Sequence, residues 1–363
     1  MRIKGLNGLR AIAALLVVFT HLGLLTVFQG SPLLPMIHGW AAVRLFFVLS
    51  GFLITHLLII ESNTFGSVSI KNFFIRRTLR IIPLYFLVIA FVTSVCLFIY
   101  PVSSWKGMLF AYSYTYNFIP RFWYSTQLGH LWTLAVEEHF YLIWPFLFYR
   151  YWKKDNGMVL MRICILSLIA SILFSPAIHY ISSIQNYFFI PRWTPSVSYN
   201  LLLGCICAIV INQKDRNEIY RKAVLFLGSR FAILLFLILW SNTLLGLAPG
   251  HLSTVLRGLS FAILISWIYL NQSCFLVKFL ELPPLSYLGM ISYGIYIYQG
   301  LFLATGPYRA EGQHWPPSPE VGLVLLILVV PLSYHLFESK LLKIGKQYRQ
   351  KKGIDLLPEN RAT

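Results

Sequence analysis

Chemistry has few carriers in this sequence, because only 12% of its 363 residues are charged. The first pair is Arg10 and His21, in G-L-N-G-L-R-A-I-A-A-L-L-V-V-F-T-H. They are eleven residues apart, about three helical turns, so both side chains share one face about 16 Å apart along the axis. In a hydrocarbon core about 30 Å thick that spacing puts a guanidinium at the membrane surface and an imidazole near the midplane. An ionisable group at that depth is costly and faces a polar cavity rather than lipid. Imidazole titrates near neutrality, so His21 is a candidate base for a hydroxyl proton.

Glu137 and Glu138 are the acidic residues set well inside an apolar run, in L-G-H-L-W-T-L-A-V-E-E-H-F-Y-L-I-W-P. Glu137 stands thirteen residues from Arg150, about 20 Å along a helix. That matches the depth of His21 and predicts a His21–Glu137 pair, with the carboxylate fixing the tautomer of the base. The alternative is an ion pair that only locks two helices together. A further run, W-A-A-V-R-L-F-F-V-L-S-G-F-L-I-T-H, carries Arg44 in its outer half and Ser50 near the depth expected for His21. Arg44 belongs in a polar cavity. Ser-Gly at 50–51 reads first as close helix packing, with a nucleophile beside His21 as the alternative. In N-F-F-I-R-R-T-L-R-I-I-P-L-Y, Arg77 and Arg80 are three apart and share a helix face. Two guanidiniums so placed suit phosphate, although a positive-inside signal needs only their charge. His130, Glu138 and Tyr293 complete the candidate cavity-lining set with Arg44 and Ser50.

Those residues need helices to hold them. Hydrophobic residues make up 57% of the chain and aromatic residues 16%, a membrane-protein composition. Ten apolar runs are long enough to span, near 9–28, 40–60, 81–100, 129–150, 159–181, 196–212, 224–242, 252–270, 285–304 and 321–340. The expectation is an all-α polytopic membrane protein with about ten transmembrane helices. Its membrane domain covers 1–345 and a basic tail covers 346–363. The stretch 101–128 is too broken to count as a span but suits a segment dipping into the membrane. The formal net charge of +18 comes from Lys and Arg gathered between runs, which reads as orientation rather than a nucleic-acid surface. Lys71, Arg76, Arg77 and Arg80, then Lys153 and Lys154, then Lys214, Arg216, Arg221 and Lys222, then the tail all fall on one side. The positive-inside rule makes that side, and both termini, cytoplasmic. None of the five cysteines has zinc-ligand or disulfide spacing, and no metal is expected. The first run has no small-residue cleavage site after it and reads as an uncleaved span.

Four of these motifs, in this order, resemble the membrane acyltransferase-3 family, which includes bacterial O-acetyltransferases of lipopolysaccharide, exopolysaccharide and peptidoglycan. They are the Arg10-to-His21 segment, V-R-L-F-F-V-L-S-G-F-L-I, F-F-I-R-R-T-L-R-I-I-P-L-Y and L-W-T-L-A-V-E-E-H-F-Y-L-I-W-P. The resemblance implies that His21 is essential for acyl transfer and that Glu137, rather than Glu138, is the characteristic acid. It links Arg10, Arg77 and Arg80 to an acyl-CoA donor. Two positions depart from the pattern: Asn7 stands where Asp is common, and Gln299 where His is common. The implied activity is O-acyl transfer from cytoplasmic acyl-CoA, a co-substrate rather than a bound cofactor, to a hydroxyl of an extracytoplasmic or lipid-linked glycan. The implied location is the cytoplasmic membrane. The competing reading is a proton-coupled transporter or flippase of a glycoconjugate, since a midplane His and Glu also suit proton coupling. No inverted repeat is evident in the sequence to support it.

The charge pattern makes a direct prediction. Topology reporters fused after Arg361 and within 305–318 are expected on opposite sides of the membrane; signals from the same side would break the ten-span arrangement.

Overall fold

A computed structural model describes residues 3–31, 33–98, 105–152, 157–179, 182–242, 244–245, 247–248, 250–303 and 316–348. Lys153, Lys154, Arg309, His314 and tail residues 349–363 lie outside them. The regular structure among the described residues is helical, apart from one bridge between Pro120 and Phe188. In chain order the longer helices are α1 (Leu6–His21), α2 (Gly39–Phe65), α3 (Ile70–Phe98), α4 (Leu131–Tyr151), α5 (Met158–His179) and α6 (Tyr199–Asn212). They continue as α7 (Glu218–Gly228), α8 (Arg230–Trp240), α9 (Gly250–Leu270), α10 (Pro283–Met290), α11 (Ser292–Phe302), α12 (Pro319–Ser333) and α13 (Ser339–Gln347).

Among the described residues the apolar runs are largely helical, and a set smaller than ten is long and apolar enough to cross a membrane by length and composition alone. By length and apolar character four helical stretches qualify: α2, α5, α9 and the continuous Pro319–Gln347 stretch that joins α12 to α13. A fifth qualifies if α7 and α8, bent by 76° at their junction, cross as one broken span. The shortfall has physical causes. Helix α1 has 16 residues and α6 has 14, fewer than the roughly 20 that a full crossing needs. Helix α4 carries Glu137 and Glu138 within its apolar run, and the ninth run breaks at Ile291 between α10 and α11. The protein is a multi-pass helical membrane protein.

Two contacts set the register that positions the site. Gly5, left-handed at φ 86°, donates its N–H to Glu281 Oε1 at 2.7 Å and so anchors the start of α1. At the other end the Gly39 N–H donates to Thr20 Oγ1 at 2.8 Å, tying the end of α1 to the start of α2. The two helices run antiparallel from that tie. Ser50 lies eleven residues into α2, about 16 Å from it, and so stands level with Leu9 and Arg10. The described part of the segment, 105–128, forms a short helix, Trp105–Tyr112, and two turns. Its Ala111, Tyr116 and Ile119 join the hydrophobic core.

Helix α2 packs closest on α6, where Gly51 faces the Leu201 carbonyl and Gly204 faces that of Val48. A Cβ at either position would run into backbone that has no room to give. Gly51→Ala and Gly204→Ala are each expected to destabilise by about 1–3 kcal/mol, the usual cost of overpacking, in SDS titration of the protein in mixed micelles. Gly228→Ala meets only the Leu270 side chain at 3.7 Å and is expected to cost nothing. Equal effects at all three positions would contradict the packing.

Candidate active site

Five helices converge on Glu137. From α2, the Ser50 hydroxyl donates to Glu137 Oε1 at 2.7 Å. One turn along α4, the Tyr141 hydroxyl lies 3.0 Å from Ser50 Oγ and 3.2 Å from Glu137 Oε2. This i,i+4 spacing is what brings Tyr141 back over the carboxylate. From α3, the Arg77 guanidinium sits over the Tyr141 ring, 4.2 Å from its centroid, a cation–π contact. Arg10 from α1 and Arg77 both act on the Glu137 charge, and Arg10 and Arg77 both act on Arg80. Arg80 in turn acts on Glu338, in the π-helical turn Tyr334–Glu338 between α12 and α13. From α11, Tyr293 donates its hydroxyl to the Ile81 carbonyl at 2.7 Å and so fastens α11 to α3.

Arg10, Arg77 and Arg80 are all partly buried. None makes a hydrogen bond or an ion pair among the described residues, where the ion pairs are Arg76–Glu61 and Arg221–Glu218. Each guanidinium therefore keeps its N–H donors unused. A cavity of about 60 Å³ opens among Arg10, Ser50, Thr133, Glu137, Tyr293 and Tyr296, with Val43, Phe46 and Phe47 as its apolar wall. That is room for a few waters. A second cavity, about 250 Å³, shares Val43 and Phe47 with the first and is lined further by Trp40, Arg44, Trp132 and Asn200. Among the described residues no three His, Cys, Asp or Glu side chains converge as a metal site requires.

The expected His21–Glu137 pair is corrected. His21 is the last residue of α1, near His38 and His130, whereas the hydrogen bonds of Glu137 go to Ser50 and Tyr141. The Gly39–Thr20 tie puts Ser50 at the Arg10 end of α1, so Glu137 stands there too. Ser50 accordingly lies beside Glu137 and Arg10 rather than at the depth of His21. His130 is 8% exposed, and its Nε2 is 3.0 Å from the Ile297 carbonyl. It is a core residue, and it packs edge-on to Tyr296. Neither His130 nor Glu138 lines either cavity. Glu138 interacts electrostatically with Arg77 and makes no hydrogen bond among the described residues. Arg44 lines the second cavity. His38, in the turn before α2, is held below the ordinary imidazole range, first by burial and then by the charge of Arg44.

Three participants escaped sequence reasoning. Tyr141 was within reach of it, being four residues after Glu137 on a helix. Thr133 bonds the Tyr296 hydroxyl at 2.6 Å, a contact between helices that no local pattern marks. Glu338 reads in sequence as the anchor at the end of a span. It is 7% exposed, accepts from Ser333 at 3.3 Å and feels Arg80, because the π-helical turn swings it inward. Gln299, the departure from the family pattern, is fully buried with both amide atoms unpartnered.

The helical architecture and this site belong to an acyltransferase: residues 3–338 match the family described as "Acyltransferase domain", and the chain is a member of it. It is similar to the peptidoglycan O-acetyltransferase OatA of Listeria monocytogenes, at 28% identity over 380 residues, which cover 94% of this chain and 56% of that protein. It is also similar to the O-acetyltransferase OatA of Staphylococcus aureus, at 29% identity over 373 residues, 94% of this chain and 58% of that protein. The chain thus spans a little over half the length of these relatives. No solved structure matches it.

Tyr141→Phe keeps the ring under Arg77 but removes the hydroxyl that Ser50 and Glu137 share. A stability loss of about 1–3 kcal/mol is expected, and the same for Ser50→Ala. Because both groups serve one carboxylate, the double variant is expected to lose less than the sum of the two. Strict additivity in SDS titration would show that the bonds are independent.

Proposed function

We propose that this chain transfers an acetyl or other short acyl group from a coenzyme A thioester to a hydroxyl of a glycan, in the cytoplasmic membrane. The observation that carries the reading is the set of three partly buried guanidiniums with no hydrogen-bond partner among the described residues. A cation held away from water without a counter-charge costs several kcal/mol. A ligand with several phosphates would relieve that cost, and the planar forks of Arg10, Arg77 and Arg80 suit phosphate oxygens. The same arginines lie next to the Lys/Arg-rich segment that the positive-inside rule makes cytoplasmic, the side where coenzyme A is available.

With its phosphates there, the donor extends its thioester arm along α1 from Arg10 toward His21. His21 takes the proton as the acceptor oxygen attacks the thioester carbonyl. A C–O bond forms, the C–S bond breaks, and coenzyme A leaves as a thiolate that takes up a proton. Glu137 balances Arg10 and Arg77 and holds Ser50 and Tyr141 in place. The names of the relatives favour peptidoglycan as the acceptor, presented outside the membrane or on a lipid carrier.

Arg77→Ala and Arg80→Ala are each expected to weaken coenzyme A binding by about 1.5–3 kcal/mol, roughly tenfold to a hundredfold. Lys at either position is expected to be milder. Folded Ala variants that bind coenzyme A like the wild type would reduce the arginines to orientation signals. His21→Ala is expected to lower acyl transfer by about 10²–10⁴-fold. Since His21 and Glu137 do not touch, the loss caused by Glu137→Gln is expected to be the same factor whether or not His21 is present. A double variant no worse than His21→Ala alone would mean that the two close into a pair when substrates bind.

A further inference from the structure

The second cavity is not used by the donor reading, and its lining is of another kind. Trp40 and Trp132 meet there with ring centroids 5.5 Å apart and planes tilted by 33°. Trp40 is 40% exposed, which leaves much of an indole face free. The guanidinium of Arg192 packs behind these rings, 5.7 Å from the Trp40 centroid and 4.1 Å from that of Phe189. Arg44 spends one hydrogen bond, from Nη1 to the Trp40 carbonyl at 3.0 Å, and keeps its other donors. Asn200 is buried, and its Oδ1 is unpartnered.

The electrostatics of this cavity are one-sided. The titratable groups coupled to Arg44 are His38, His251 and Arg257, all basic. Arg257 is committed to the Pro35 carbonyl at 2.6 Å and to Ser253 Oγ at 3.0 Å. Among the described residues no carboxylate pairs with Arg44, Arg192 or Arg257. Aromatic faces with a few polar groups at the edge suit a ligand with an apolar face and a polar rim. An uncompensated arginine adds a demand for negative charge, met best by a carboxylate gripped at two oxygens. The volume, about 250 Å³, is space for roughly eight waters, enough for a sugar ring.

Resting on the acyl-transfer reading, we propose that this cavity is the acceptor subsite and that it selects a pyranose carrying an acidic group. The ring lies on Trp40 and Trp132, and Arg44 takes the acid. The subsite shares Val43 and Phe47 with the cavity of Glu137 and Ser50. Trp40 follows Gly39, whose N–H is tied to Thr20 next to His21, so a sugar stacked on Trp40 lies toward the His21 end of α1, where the base stands.

The test uses the full chain in lipid nanodiscs, with tryptophan fluorescence read during titration with methyl glucuronide and with methyl glucoside. Coenzyme A binding is measured in parallel. The wild type is expected to bind the acid sugar about tenfold or more tighter than the neutral one, as a charged hydrogen bond implies. Arg44→Gln is expected to erase that preference, and Trp40→Leu to weaken both sugars, with coenzyme A binding unchanged in each. Asn200→Asp, which puts a negative charge in the cavity, is expected to reverse the preference. Equal binding of the two sugars by the wild type, no saturable binding, or a preference that survives Arg44→Gln would each overturn the subsite. Normal coenzyme A binding in those cases would leave the acyl-transfer reading standing. Failure of the wild type to bind coenzyme A would count against that reading instead.

Discussion

Three guanidiniums drawn into a helix bundle without a hydrogen bond or ion pair among the described residues are the constraint on which the rest of this structure depends. Water is scarce there and the effective dielectric is low, so like charges repel more strongly than at a surface. Arg10, Arg77 and Arg80 come from two helices and act on one another. What keeps them tolerable surrounds them. Glu137 supplies negative charge, the Tyr141 ring receives Arg77, and Glu338 lies within the field of Arg80. Each compensation is partial, since none closes an ion pair. Such a site suits a ligand that brings anionic oxygens.

The helices meet that constraint through their ends as much as their faces. Gly5 bound to Glu281 and Thr20 bound to Gly39 fix both ends of α1, and this holds Arg10 and His21 at opposite ends of one short rod. Val43 and Phe47 line both of two chambers with different chemistry. One is lined by Glu137, Ser50 and Arg10, the other by indoles and Arg44. Reactants that approach from opposite faces of a membrane fit such a pair.

Much of this was legible in the sequence, for reasons that can be named. Hydrophobic runs of this length form helices wherever they lie, and the spacing of Arg10 and His21 specifies one face of one helix. Glu137 stood out because a carboxylate inside an apolar run needs a purpose. The failures all concern where one helix stands relative to another. Measuring His21 from Arg10 and Glu137 from Arg150 assumed that the two arginines mark the same plane. The tie between Thr20 and Gly39 and the bond from Ser50 to Glu137 show that they do not. The bend between α7 and α8, the break at Ile291 and the π-helical turn at Glu338 were hidden for a related reason: packing decides them, and hydrophobicity is blind to it.

The most direct measurement is a cryo-electron microscopy structure of the full chain with coenzyme A bound. If the arginines exist to hold the donor, the phosphates will lie within hydrogen-bonding distance of Arg10, Arg77 and Arg80, and the thiol will point along α1 toward His21. Coenzyme A seated elsewhere, with those three guanidiniums still unpartnered or closed onto Glu137 and Glu338, would contradict that role.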